Sequence, residues 1–109
     1  MTVKQLSEIK GFKALALPSP ERTINGVYTG DLLSWVMGRA SEDDAWITIM
    51  SNVNTIAVAT LADVACIILA ESVEMDQSVL DTANAKGINI LNTDLSAYQT
   101  AKLLISLGL

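Results

Sequence analysis

Histidine is absent from this chain of 109 residues. That removes the side chain most often used as a general base near neutral pH and most often found on transition metals. Cysteine occurs once, at Cys66, so no internal disulfide can form, which fits a reducing interior. Cys66 lies inside the apolar run of residues 64–70 and reads as a small core residue rather than a nucleophile or ligand. Charge is also scarce. Charged residues make up 17% of the chain, where ordinary soluble domains carry roughly 25%. The basic ones, 7 against 12 acidic, are scattered from Lys4 through Arg22 and Arg39 to Lys102. Without a basic stripe, no nucleic-acid partner is expected. No apolar stretch approaches the ~20 residues needed to span a bilayer, and the opening Met1-Thr2-Val3-Lys4-Gln5-Leu6 lacks a signal-peptide core. A soluble, cytoplasmic protein with no membrane partner is expected.

The familiar phosphate loops are missing too. The chain has no Gly-x-x-x-x-Gly-Lys-Ser/Thr, no Gly-x-Gly-x-x-Gly after a strand and no serine held between glycines. A nucleophile would have to be Ser, Thr or Cys, activated only by a carboxylate or a lysine. No catalytic residue, cofactor or metal site is expected. The acidic group Glu42, Asp43 and Asp44 reads as a solvated loop before a strand at Trp46.

What is present is a rhythm. Apolar runs at residues 26–28, 46–50, 65–69 and 89–91 are each followed by a small polar residue and a helical pattern. Asp31, Ser51, Asp76 and Ser96 stand before the helical stretches. Such alternation predicts an α/β fold: one domain over residues 1–109, three-layer α/β/α, with about five mostly parallel strands.

Val3, Leu6 and Ile9 are spaced for a short helix closed by Gly11, and residues 12–17 for a first strand broken by Pro18-Ser19-Pro20. Asn25-Gly26 is either a tight turn or part of a strand over residues 24–28; the strand is preferred. Asp31 is the expected N-cap of a helix that buries Leu32, Leu33, Val36 and Met37 and ends at Gly38. Residues 53–63, rich in Ala, Val and Thr, read as a helix, with one long strand as the alternative. Residues 64–70 should form the central strand, buried on both faces. Residues 76–86 form the clearest helix, with Val79, Leu80 and Ala83 inward and Gly87 at its end. The last helix starts at Ser96 and finishes in an apolar terminus.

With few charges, some apolar surface should remain outside the core, and a homodimer is expected. Trp35, off its helix's inner face, covers a neighbouring element or a subunit contact. Trp35, Leu104, Leu107 and Leu109 are the interface candidates. A ligand would favour the carboxyl ends of the strands, where helix N-termini gather. That rule selects Asp31, Asn52, Asn54 and Thr93 as binding candidates, within a rim that includes Thr29, Ser51, Glu71, Ser72 and Asp94. The same residues also suit plain capping and turn roles. No basic residue joins this rim.

The stretch Gly26-Val27-Tyr28-Thr29-Gly30-Asp31-Leu32-Leu33-Ser34, the segment Asn54-Thr55-Ile56-Ala57-Val58-Ala59, the run Ile67-Ile68-Leu69 and the ending Gly87-Ile88-Asn89-Ile90-Leu91-Asn92-Thr93 resemble a DRTGG domain. The likeness covers nearly the whole chain. It is closest to the stand-alone branch, similar to the N-terminal part of HPr kinase/phosphatase. The resemblance implies an α/β/α fold, frequent dimerisation and a regulatory role beside other domains, such as CBS pairs or phosphotransacetylase. In the family pattern, Asp-Arg-Thr follows the third strand and Gly-Gly the fourth. Here Asn52-Val53-Asn54 and Glu71-Ser72 take those places, so a site built from the signature residues does not carry over.

Three functions follow from these observations. The first is a non-catalytic, dimerising module that regulates or docks onto a cytoplasmic enzyme. The second is a sensor of a nucleotide or other anion at the strand ends. The third is an enzyme with Asp31 or Asp94 as its base.

Overall fold

In the computed structural model, which describes residues 1–109, a helix and a strand come first, and strands and helices alternate from the second strand onward. The order is α1 (Val3–Ser7), β1 (Phe12–Ala16), β2 (Gly26–Thr29), α2 (Leu33–Arg39), β3 (Asp44–Thr48), α3 (Val53–Ala62), β4 (Cys66–Leu69), α4 (Gln77–Lys86), β5 (Ile90–Thr93) and α5 (Ala97–Ser106). The strands form one 5-stranded sheet in the order β1-β5-β4-β3-β2. β2 through β5 run parallel, and β1 alone is antiparallel, pairing Phe12 with Thr93 and Lys13 with Asn92. The expected α/β architecture and the central position of β4 both hold.

The sheet is apolar on both faces because both are covered. Every residue of β3 and β4 is buried. Successive side chains point to opposite sides, so each strand feeds two cores. Trp46, Ile67, Leu69 and Ile90 pack with Val36 of α2, Ile56 and Ala59 of α3, and Ala83 of α4. Ala45, Ile47, Cys66, Ile68 and Leu91 pack with Val3 and Leu6 of α1 and Leu104 of α5. The three layers follow from this division. The segment rich in Ala, Val and Thr is a helix, and Ile56 and Ala59 are fully buried against the sheet.

The helix ends follow local chemistry. Thr2 with Gln5, and Ser96 with Gln99, form reciprocal capping boxes that start α1 and α5. Gly87 closes α4 at φ +74°, a left-handed conformation that favours glycine. At the amino-terminal edge of the sheet, Arg22 pairs with Asp43 and Asp63, each at 2.9 Å. Burial pulls the Arg22 guanidinium down, but the hydrogen bonds and charges of the two carboxylates outweigh it and leave its pKa raised. Asn89, buried beside that edge, donates to the carbonyls of Ser19 and Ala65 and accepts from the Ser19 N–H. These contacts fasten the loop after β1.

Some expectations are corrected. Asp31 does not cap α2: Leu32 holds that position, with no side-chain cap bond. The Asp31 carboxylate instead accepts from the Thr48 hydroxyl at 2.8 Å and the Ile49 N–H at 3.1 Å. Donors at the end of β3 outcompete those of the helix. Gly38 lies inside α2, which Ala40 closes. Val36 is fully buried there, while Leu32 and Met37 are exposed. Asp44 is not in a solvated loop. It opens β3, is buried, and accepts from the Ser41 N–H at 2.8 Å. Leu104 is fully enclosed by its own chain, so it has no surface to offer a second copy. Leu107 and Leu109 are half-buried against the same core.

Candidate functional site

The carboxyl end of the parallel strands divides into two corners. The first holds Asp31, after β2, and Asn52 and Asn54, at the start of α3. There Asp31 is held by Thr48 and Ile49, and Asn52 caps α3 by accepting from the Asn54 N–H at 2.9 Å and the Thr55 N–H at 3.3 Å. Two of the three side chains are thus already engaged in hydrogen bonds within the chain. The indole of the buried Trp46 donates to the Gly30 carbonyl at 2.9 Å and supports the loop beneath them.

The second corner holds a cleft of about 330 Å³ between the start of β1, the end of β5 and the loop after β4. Lys13, Ser72, Glu74, Asn92, Thr93 and Asp94 line it; Asp31, Asn52 and Asn54 do not. Of the expected rim, Ser72, Thr93 and Asp94 line this cleft. Thr93 reaches the cleft, but only 3% of it is exposed, and its hydroxyl accepts from the Leu95 N–H at 3.3 Å.

Lys13, Glu74 and Asn92 escaped the sequence reading. Lys13 is the instructive one. Because β1 runs against its neighbour, its beginning lies at the edge where the parallel strands end, and a cation joins the rim from the far end of the chain. An antiparallel first strand puts residues 12 and 13 there and a parallel one would not, so strand direction was the signal needed.

The loop wall is fixed by backbone conformation. Glu71 and Ser72 are both at φ 60°, where L side chains are strained. Their N–H groups donate to the carbonyls of Leu95 and Thr93, each at 2.9 Å. The Ser72 hydroxyl donates to Asp94 Oδ1 at 2.6 Å, and Asn92 Nδ2 donates to the Val73 carbonyl at 3.4 Å. Both residues hold the conformation that glycine adopts most readily.

No group of three or more His, Cys, Asp or Glu side chains is arranged to hold a metal ion. Burial pushes the Cys66 thiol up to about 12, against a smaller opposing pull from Arg22. A protonated thiol inside a core is inert as a nucleophile. No helix is long and apolar enough to cross a membrane.

Bordering the first corner, large apolar side chains are exposed on α2 and its surroundings. Leu32 and Trp35 lie one turn apart, Ile49 is tied to Asp31, and Val53 opens α3. Trp35 is 56% exposed, with the Arg39 guanidinium 4.1 Å above its ring.

The family model described as the DRTGG domain matches residues 24–107. Among solved structures, the chain is similar to the CBS and DRTGG domains of the regulatory region of Clostridium perfringens pyrophosphatase, crystallised with its activator, diadenosine tetraphosphate. The TM-score is 0.65 at 13% identity, over 86% of this chain and 41% of that one. At that identity the likeness speaks for the fold. No curated protein matches the chain.

Proposed function

Because this chain belongs to the DRTGG domain family, we propose that it is a non-catalytic regulatory module that pairs with a second copy of itself and acts on a cytoplasmic partner enzyme. The observation that carries the reading is the exposure of Trp35 on α2, with Leu32 before that helix, Ile49 after β3 and Val53 at the start of α3 exposed as well. Exposed apolar groups of this kind mark contact surfaces, and tryptophan is the commonest anchor of such contacts. Leu107 and Leu109 add little, since their own core already half-covers them. Light scattering at tens of micromolar should give the mass of a dimer. Trp35→Glu should give a monomer with unchanged circular dichroism. A parent protein that scatters as a monomer would overturn the dimer. Regulation is tested by assaying the enzymes encoded beside it with and without equimolar protein; an unchanged rate for all of them would count against that role.

The cleft beside Lys13 favours a second reading, a sensor of a small ligand at the carboxyl end of the strands. The similar pyrophosphatase region was crystallised with a nucleotide activator, which lends the reading support by analogy. A ligand bound only to the folded state raises Tm by mass action. Nucleotides that raise it in the parent and not in Lys13→Gln would support the sensor.

A further inference from the structure

We propose that the cleft between β1, β5 and the loop after β4 binds a compact zwitterion, a molecule bearing both an ammonium and a carboxylate, of which α-amino acids are the simplest class. The proposal rests on the sensor reading and gives it a ligand chemistry. Its basis is the pattern of charge. Lys13, Glu74 and Asp94 line one cavity, yet Lys13 lies within 4.0 Å of neither carboxylate; both ion pairs of the molecule belong to Arg22. Opposite charges that share a cavity without meeting leave room for a ligand carrying the complementary pair. Its carboxylate would sit at Lys13 and its ammonium between Glu74 and Asp94.

Three details favour this class over a bare anion. Two carboxylates against one lysine repel a phosphate more than they attract it, whereas an ammonium is drawn to both. Asp94 is already oriented by the Ser72 hydroxyl at 2.6 Å, and the strained Glu71–Ser72 backbone is pinned to the carbonyls of Leu95 and Thr93, so one wall is built before binding. Asn92, directly opposite Lys13 in the β1–β5 register, donates through Nδ2 to Val73, while its Oδ1 accepts nothing from the chain. That oxygen can take a ligand N–H. Size points the same way. A volume of about 330 Å³ lies at the bottom of the roughly 300–1,000 Å³ range of ligand sites, which suits a small metabolite better than a dinucleotide.

The test is a thermal-denaturation screen of the full chain against millimolar α-amino acids and γ-aminobutyrate. Acetate and methylamine serve as single-charge controls, and AMP and diadenosine tetraphosphate with magnesium as anionic ones. At least one zwitterion should raise Tm by several degrees while acetate and methylamine leave it unchanged. Lys13→Gln and Asp94→Asn should each weaken that zwitterion about tenfold or more in calorimetry, and Lys86→Gln, at the far end of α4, should bind like the parent. The unliganded Tm of each variant checks that it folds. If only the nucleotides stabilise, and Lys13→Gln abolishes the effect, the sensor reading stands and the zwitterion is wrong. If a zwitterion stabilises the parent and both cleft variants equally, it binds elsewhere and the proposal falls. If nothing in the screen stabilises, the proposal and the sensor reading fall together.

Discussion

Thr55 is fully enclosed on the first turn of α3, and its hydroxyl oxygen has no hydrogen-bond partner. A buried polar group left unpaired costs about 1–3 kcal/mol. Thr55→Val keeps the shape and removes the oxygen, so it should stabilise by about 1 kcal/mol, seen as a higher urea midpoint at unchanged m-value. A lower midpoint would refute the argument. Cys66 gives a pH signature. Its thiol stays protonated in the fold up to about 12, against an ordinary value of 9.0. Above pH 9.0 the unfolded chain loses this proton and the folded chain keeps it. Stability should then fall by about 1.4 kcal/mol per pH unit from this group, until pH reaches its folded value. Urea titrations across that interval should show a shallower fall in Cys66→Ala, which starts less stable at pH 9.0 and is approached by the parent as pH rises. The burial of Cys66 was legible from the run around it. The roles of Lys13 and Asp31 were not, because each is set by a partner on a distant strand rather than by its neighbours in sequence.

Elements built on long apolar runs were the legible ones. β4 and α3 lie where hydrophobic pattern and alternation place them, since burial on both sheet faces leaves little choice. The start of α2 was not legible, because the end of β3 offers Asp31 better donors than its own helix does. The two glycines near this element should behave oppositely. Gly38 lies within α2 with open space where a Cβ would go, so Gly38→Ala should stabilise by about 1 kcal/mol. Gly26 opens β2 where a Cβ would come within 2.5 Å of Asp44 Oδ1, a carboxylate held by the Ser41 N–H. Gly26→Ala should therefore destabilise by about 1–3 kcal/mol. Chemical denaturation of both variants checks the signs; equal shifts would show that the packing around β2 yields.

At the scale of the molecule, the family match begins at residue 24, yet what precedes it is no appendage. Val3 and Leu6 are fully buried in the second core, β1 completes the sheet, and Lys13 lines the cleft. Burying each aliphatic side chain contributes roughly 1.5–3 kcal/mol, so a chain starting at residue 24 should melt at a much lower temperature, or without a cooperative transition. Circular dichroism against temperature reads this directly, and an unchanged Tm would refute it. The parallel core was legible because alternation of strand and helix imposes it. The reversal of β1 was not, since an edge strand carries no sequence mark of its direction.

The pairing of β1 with β5 also sets an order in time. β1 precedes β5, its only partner in the sheet, by more than half of these residues, so it is synthesised well before that partner. At about 5–20 residues per second, an unpaired strand waits on the order of several seconds on the ribosome before the sheet can close. Mixed polar and apolar character in Phe12-Lys13-Ala14-Leu15-Ala16 suits that wait, because a lysine on an unpaired strand discourages pairing with another nascent chain.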